Sequence, residues 1–311
     1  MQLFNFSQPL NFMKFKWPAL VLSGLLVLGS LVSVFSLGIN WGLDFTGGTV
    51  IEVGLAEGAD LSAMRQTLAA AGYPDAVIQL FGSSKDVLIR IPLRADLEQA
   101  VVGDAVLQAL NSQLAEPVTM RRVEFVGPSV GEELKQDGGL AMLVALIGIL
   151  LYVALRFEWR LSVGAALSLA HDVVLTLGLF SVLQLEFDLT VLAAILALIG
   201  YSINDTIVVF DRLRESFRKL REATVDETIN HAITSTLNRT VITSLTTVLV
   251  LLVLFFMGGA LIHGFATALL FGIAVGTYSS VYVASAVAEV FGISREDMLP
   301  APVPEHEGEE M

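Results

Sequence analysis

The sequence predicts an α-helical membrane protein, with six transmembrane helices and a small α+β domain of ferredoxin-like βαββαβ order between the first two. Three observations predict it. Of 311 residues, 54% are hydrophobic and 16% charged, whereas soluble domains carry about 25% charged residues. Six apolar segments reach the roughly 20 residues that a helix needs to cross a bilayer. Between the first and second of them lies a stretch whose apolar spacing alternates between strand and helix periods.

The spans fall at about 18–39, 139–155, 161–184, 189–210, 240–258 and 260–290. The first is too long for the apolar core of a signal peptide and has no A-x-A site, which makes it an uncleaved anchor. The second is short, and its polar lead SVGEELKQDGG places Ser129 and Glu132 in capping-box spacing at a helix start. Residues 1–17 precede the spans, 40–128 form the inserted domain, 129–292 the remaining bundle, and 293–311 an acidic, disordered tail with Pro300, Pro302 and Pro304.

Within the insert, GGTVIEVGL reads as a strand, ADLSAMRQTLAAAG as a helix and DAVIQLFG as a strand. After a turn, SSKD, follow the strand VLIRIP, the helix ADLEQAVVGDAVLQALNSQL and the strand VTMRRVEFVG. That order is ferredoxin-like, a fold with many functions, so it specifies no chemistry.

Short loops keep positive charge on the cytoplasmic side. Lys14 and Lys16 precede span one, Arg156 and Arg160 separate spans two and three, and Arg212, Arg214, Arg218, Lys219 and Arg221 follow span four. The loops QLEFD and MGG carry none. Both termini are therefore expected in the cytoplasm, with residues 40–138 on the opposite, periplasmic side.

The net charge of −13 argues against nucleic acid as a partner. There is no cysteine, and the four histidines have no metal-ligand spacing. Gly47-Gly48 in GLDFTGGT lacks the lysine of a P-loop. No cofactor, metal or enzymatic activity is expected.

Ionisable residues inside a bilayer face the protein interior and mark pathways or relays. His171 and Asp172 lie ten residues past Leu161, about 15 Å deep at about 1.5 Å per residue. Asp205, flanked by Asn204 and Thr206, lies seven residues before Arg212, about 10 Å from the cytoplasmic boundary. Arg239 stands at the edge of span five, close enough in depth to meet Asp205 across a helix pair. Burial disfavours the charge on such a carboxylate and a nearby arginine favours it, so a group held between the two can take and release a proton. The same residues can also serve as interhelical glue. Asp211 reads as an interfacial residue, and DRLRESFRKLRE as a surface amphipathic helix. In span six, Gly264, Ala268, Gly272, Gly276 and Ser280 form a small-residue face for close helix packing.

GLDFTGGT, GPSVGEEL, RFEWR, AHD, IGYSINDTIVVFDRLRE and NRT, in that order across residues 40 to 290, resemble the SecD/SecF family of protein-export membrane proteins, part of the resistance-nodulation-division superfamily. The resemblance implies six spans with a periplasmic domain after the first. It implies a SecD partner that completes a twelve-helix unit, association with the SecYEG channel and YajC in the inner membrane, and proton-driven assistance to unfolded polypeptide emerging from the channel. It puts the family's essential membrane carboxylate and arginine at Asp205 and Arg239. The alternative is half of a proton-coupled exporter of a lipid or small molecule from the same superfamily. A short chain with one small extramembrane domain disfavours it.

Overall fold

The structure, a computed structural model, describes residues 8–81, 83–93, 99–114 and 117–298. Among the described residues, six helices are long and apolar enough to cross a membrane. They are α1 (Lys16–Ser36), α5 (Pro128–Arg156), α6 (Trp159–Val182), α7 (Leu189–Lys219), α8 (Val225–Met257) and α9 (Ala260–Ser279). The last passes through a π-helical turn, Ser280–Ala284, into α10 (Ser285–Val290).

The insert opens with the single-turn helix α2 (Leu43–Thr46) and continues β1 (Gly48–Gly54), α3 (Leu61–Ala70), β2 (Val77–Phe81), β3 (Ser83–Pro92), α4 (Gln99–Gln113) and β4 (Thr119–Val126). The strands form one antiparallel sheet in the order β2-β3-β1-β4. Alternate residues Ile51, Val53, Val87, Ile89 and Ile91 pack against Met64, Leu68, Val106 and Leu110 of the two helices, a separate apolar core.

Several boundaries differ from the sequence reading. Ser129 and Glu132 form no capping box. Gly127 is the cap residue of α5 without a side-chain bond, Pro128 takes the first helical position that its fixed φ suits, and Glu132 accepts from Gln136. The capping box that does form joins Thr224 and Glu227 at the start of α8. Ser83–Asp86 is not a turn but the start of β3, where Asp86 pairs with Gly54. The basic stretch after Asp211 is no separate surface helix. It continues α7, because Leu213 and Phe217 are buried against Ile229 and Ile233 of α8. Residues 293–298 of the tail are packed against the bundle and end in a 3-10 turn, Glu296–Met298. Ile293 and Met298 are buried, Ser294 bonds Asp297, and Asp297 pairs with Arg160. The remainder of the acidic tail, from 299, and residues 1–7 lie outside the described residues.

The two glycines after α2 have conformations that explain them. Gly47 has φ 73° and Gly48 φ 139°, and a Cβ on Gly48 would sit 2.5 Å from the carbonyl oxygen of Ile91. This tight turn lets α2 lie against α5, and its cap contacts join the insert to the bundle. The Gly42 amide donates to Phe187 O, the Phe187 amide to Asn40 O, and the Leu189 amide to Asp44 Oδ2. Trp41, Phe45 and Phe187 stack edge to face around them. Arg90 on β3 pairs with Glu186 in the same α6–α7 loop. Burial pulls the Arg90 guanidinium below its ordinary value, against the opposing fields of Asp188 and Asp44.

Inside the bundle, apolar packing is split into two clusters. One, around Phe157, Phe210, Leu213 and Ile229, lies toward the termini; the other, around Phe180, Phe187, Leu192 and Leu198, lies toward the α+β domain. On α6 the change of cluster comes between Ala165 and Leu169, on α7 between Ile199 and Ile203, and on α9 after Ile273. A buried polar layer occupies that seam.

Candidate functional site

The seam holds Ser168, His171 and Asp172 from α6, Ser202, Asp205 and Thr206 from α7, and Ser279 from α9, all buried. These residues meet because α9 can lie close to α7. A Cβ on Gly264 would stand 2.9 Å from Val191, one on Gly272 would run into Leu198, and one on Gly276 would stand 3.3 Å from Ser202. The three glycines thus line one α7–α9 contact.

Asp172 has no exposed surface. Its Oδ1 lies 2.9 Å from His171 Nδ1, and its Oδ2 accepts hydroxyls from Ser202 at 2.5 Å and Ser279 at 2.8 Å. Ser168 in turn donates to Ser279 at 3.0 Å. Sequence reasoning found His171 and Asp172 but not Ser202, Ser279 or Ser168, since a serine in an apolar span looks the same whether it bonds its own helix or a neighbour's carboxylate.

Asp205 is the less satisfied carboxylate. It is 3% exposed, and its Oδ2 has no hydrogen-bond partner among the described residues. Its predicted companions are arranged differently from the sequence expectation. Asn204 points outward and is exposed, away from the seam. Thr206 is buried, but its hydroxyl turns back to Ser202 O at 3.4 Å. Arg239 lies fourteen residues inside α8, on its exposed side; its field reaches Asp205, yet among the described residues no ion pair joins them in this conformation. Asp211 lies outside the seam and pairs with Arg156 at 2.7 Å. Among the described residues no cluster of histidine and carboxylate groups could hold a metal.

An unsatisfied carboxylate inside a bundle, with a basic residue nearby, can exchange a proton without leaving the protein. Fold and site together define a multi-pass membrane protein with ionisable groups held among its helices. The chain belongs to the SecD/SecF family: residues 106–293 match the family described as protein export membrane protein SecD/SecF, C-terminal, and residues 32–59 the SecD/SecF GG motif, which covers Gly47-Gly48. It is 52% identical to the protein translocase subunit SecF of Vibrio alginolyticus over 99% of this chain and 98% of that protein. To the SecF subunit of Escherichia coli O157:H7 it is 47% identical over 96% and 92%. Its fold superposes on the crystal structure of SecDF, a translocon-associated membrane protein from Thermus thermophilus, with TM-score 0.80 and 40% identity over 92% of this chain. A SecDF crystal structure in a super-membrane-facing form gives TM-score 0.69 at 39% identity. The chain spans 39% of the length of each of these SecDF chains. Both SecF relatives are named as protein translocase subunits, which are transport components and not enzymes.

Proposed function

We propose that this chain acts with a SecD subunit to couple the proton-motive force to late export of unfolded polypeptide through the SecYEG channel, with YajC as an accessory partner. The observation that carries the reading is the pair of Asp205 and Arg239: a buried carboxylate with a free oxygen, and an arginine at the start of an apolar helical stretch that is turned outward. An exposed arginine at that depth is poorly matched to lipid. A second bundle covering α8 would give it an interior, and the apolar stretches of α5 and α8 are each only 11% buried within the chain. The other half of the longer SecDF chains is the natural candidate for that cover.

In this reading Asp205 is the proton carrier and Arg239 pairs with it when it is charged. Making and breaking that pair moves α7 and α8 against the SecD bundle. Because Asp44 holds the first amide of α7 and Arg90 holds Glu186, movement of α7 reaches the α+β domain directly. One charge crossing the field is worth roughly 2.3 kcal/mol per 100 mV, enough to shift a two-state population by about fiftyfold. Basic residues Lys16, Arg156, Arg160, Arg212 and Arg218 all lie at the end of the bundle opposite the domain, which supports cytoplasmic termini and a periplasmic domain in the inner membrane.

The test is gradient-driven export in inverted vesicles carrying Asp205→Asn. The variant keeps the side-chain shape, so it should copurify with SecD normally and lose stimulation by the gradient. Full stimulation in the variant would end this reading.

A further inference from the structure

The geometry points to a second proton-holding site, separate from Asp205, formed by His171 and Asp172. Asp172 is completely buried, and every partner it has is a hydroxyl or the imidazole. Among the described residues no lysine or arginine pairs with it. A carboxylate without a cation in a low-dielectric interior is strongly disfavoured. His171 is the one contacting group that can become cationic, and with one added proton the pair becomes imidazolium and carboxylate, with no net charge.

The contact between the two side chains decides where that proton sits. The 2.9 Å contact suits an Nδ1–H that donates to the Oδ1 of a carboxylate, and that tautomer leaves Nε2 to receive and release the exchangeable proton. Nε2 is buried and has no hydrogen-bond partner among the described residues. His171 also lines a cleft of about 270 Å³ between α1 and α6, with Leu20, Ser23, Gly24 and Val27 on the α1 side. Loading is a single transfer: hydronium gives its proton to Nε2 and departs as water, while the Nδ1–H···Oδ1 bond remains. Unloading is the reverse.

The groups facing the pair are few. From α9 comes Tyr278, whose ring lies 6.2 Å from the imidazole and whose hydroxyl is held by Ala19 O and Ser23. Tyr282 in the π turn stacks on Tyr278. From α7 comes Ser202, with Asp205 one turn further on, and α1 offers Ser23. Glu289 on α10 is engaged by Lys16. The consequence of loading is mechanical, because Asp172 also receives one hydroxyl from α7 and one from α9. The loaded, neutral pair is the state in which α6, α7 and α9 are held together; unloading leaves a bare buried charge at the junction of the three.

The charge of His171 can be observed in the full-length protein in lipid vesicles by nitrogen-15 NMR of labelled histidine at neutral pH, its signal assigned by its loss in His171→Gln. An imidazolium signal is expected in the native chain and in Asp205→Asn, converting to neutral imidazole in Asp172→Asn. A neutral His171 in the native chain overturns the proposal whether or not Asp172→Asn folds. So does a cationic His171 that survives Asp172→Asn. A signal that changes in Asp205→Asn would overturn the independence of the two sites, whereas loss of export in Asp205→Asn with His171 unaltered bears on the Asp205 site alone.

Discussion

Ser202 donates its hydroxyl to Asp172 Oδ2 from a position one helical turn before Asp205. The two buried carboxylates of the bundle are thus linked through the same stretch of α7, one gripping it and the other carried on it. Replacing Ser202 by alanine removes a hydrogen bond to a buried acidic group, worth about 1.5–3 kcal/mol. Ser279→Ala should lose a similar amount and also strand Ser168. Since both hydroxyls serve one oxygen, the double variant should lose less than the sum. Thermal unfolding in detergent would measure this, and full additivity would contradict a shared site.

Glycine substitutions should separate sharply by position. A Cβ on Gly164 would meet Ala284 O in the π turn at 2.5 Å, and backbone cannot step aside. Gly48→Ala adds an unfavourable φ to a similar clash. Each should destabilise by about 1–3 kcal/mol or more, whereas Gly24→Ala, with nothing within 4 Å, should be neutral. Equal unfolding temperatures for Gly24→Ala and Gly164→Ala would refute the close α6–π-turn contact.

Thr224→Ala should remove the cap of α8 at a cost of about 1 kcal/mol. Its hydroxyl accepts from the Glu227 amide, while the Glu227 carboxylate accepts from the Thr224 amide at 2.8 Å. Hydrogen exchange should rise in the first turn of α8 and stay unchanged at Ser244, which bonds Thr277 on α9.

The segment after α10 should loosen in acid. Partial burial works to raise the Asp297 carboxyl, but the Ser294 hydroxyl and amide and the Arg160 guanidinium outweigh it and hold the group below the usual carboxylate range. A depressed folded value contributes stability that is complete above the unfolded carboxylate value of about 3.9 and is lost as pH falls through the folded one. Trp159, which packs edge-on to Phe291 at 6.0 Å and carries Arg160 over its ring, is a local reporter. Its fluorescence should change on acidification below about pH 4, and Asp297→Asn should show the acid signal already at neutral pH. An Asp297→Asn protein with native Trp159 emission would contradict the clamp.

Glu186→Gln should weaken the joint between domain and bundle by leaving Arg90 half-buried beside fewer charges, at about 1.5–3 kcal/mol. A double-mutant cycle with Arg90→Met isolates the pair. Zero coupling would mean that the Asp44–Leu189 bond, the Gly42–Phe187 and Phe187–Asn40 backbone bonds and the aromatic contacts carry the joint without the ion pair.

Much of this architecture is written along the chain. Apolar runs of membrane length, the strand and helix periods of residues 48–126, and the one-sided placement of lysine and arginine are properties of consecutive residues, so they survive without coordinates. Asp205, Asp172 and His171 stand out for the same reason: charge is rare where everything around it is apolar. What consecutive residues leave open is which partner a side chain finds. Arg239 and Asp205 sit at matching depth, yet α8 turns the arginine outward and no ion pair forms in this conformation. Asn204 adjoins Asp205 in sequence and faces the other way, because neighbours on a helix point about 100° apart. Two serines that nothing in the sequence distinguishes, Ser202 and Ser279, donate to Asp172, with Ser168 behind Ser279, since the small-residue face of α9 lets it approach α7. The sequence determined the spans, the inserted fold and the presence of buried charge; only the packing of helices distant in the chain decided which carboxylate is satisfied and which is left free.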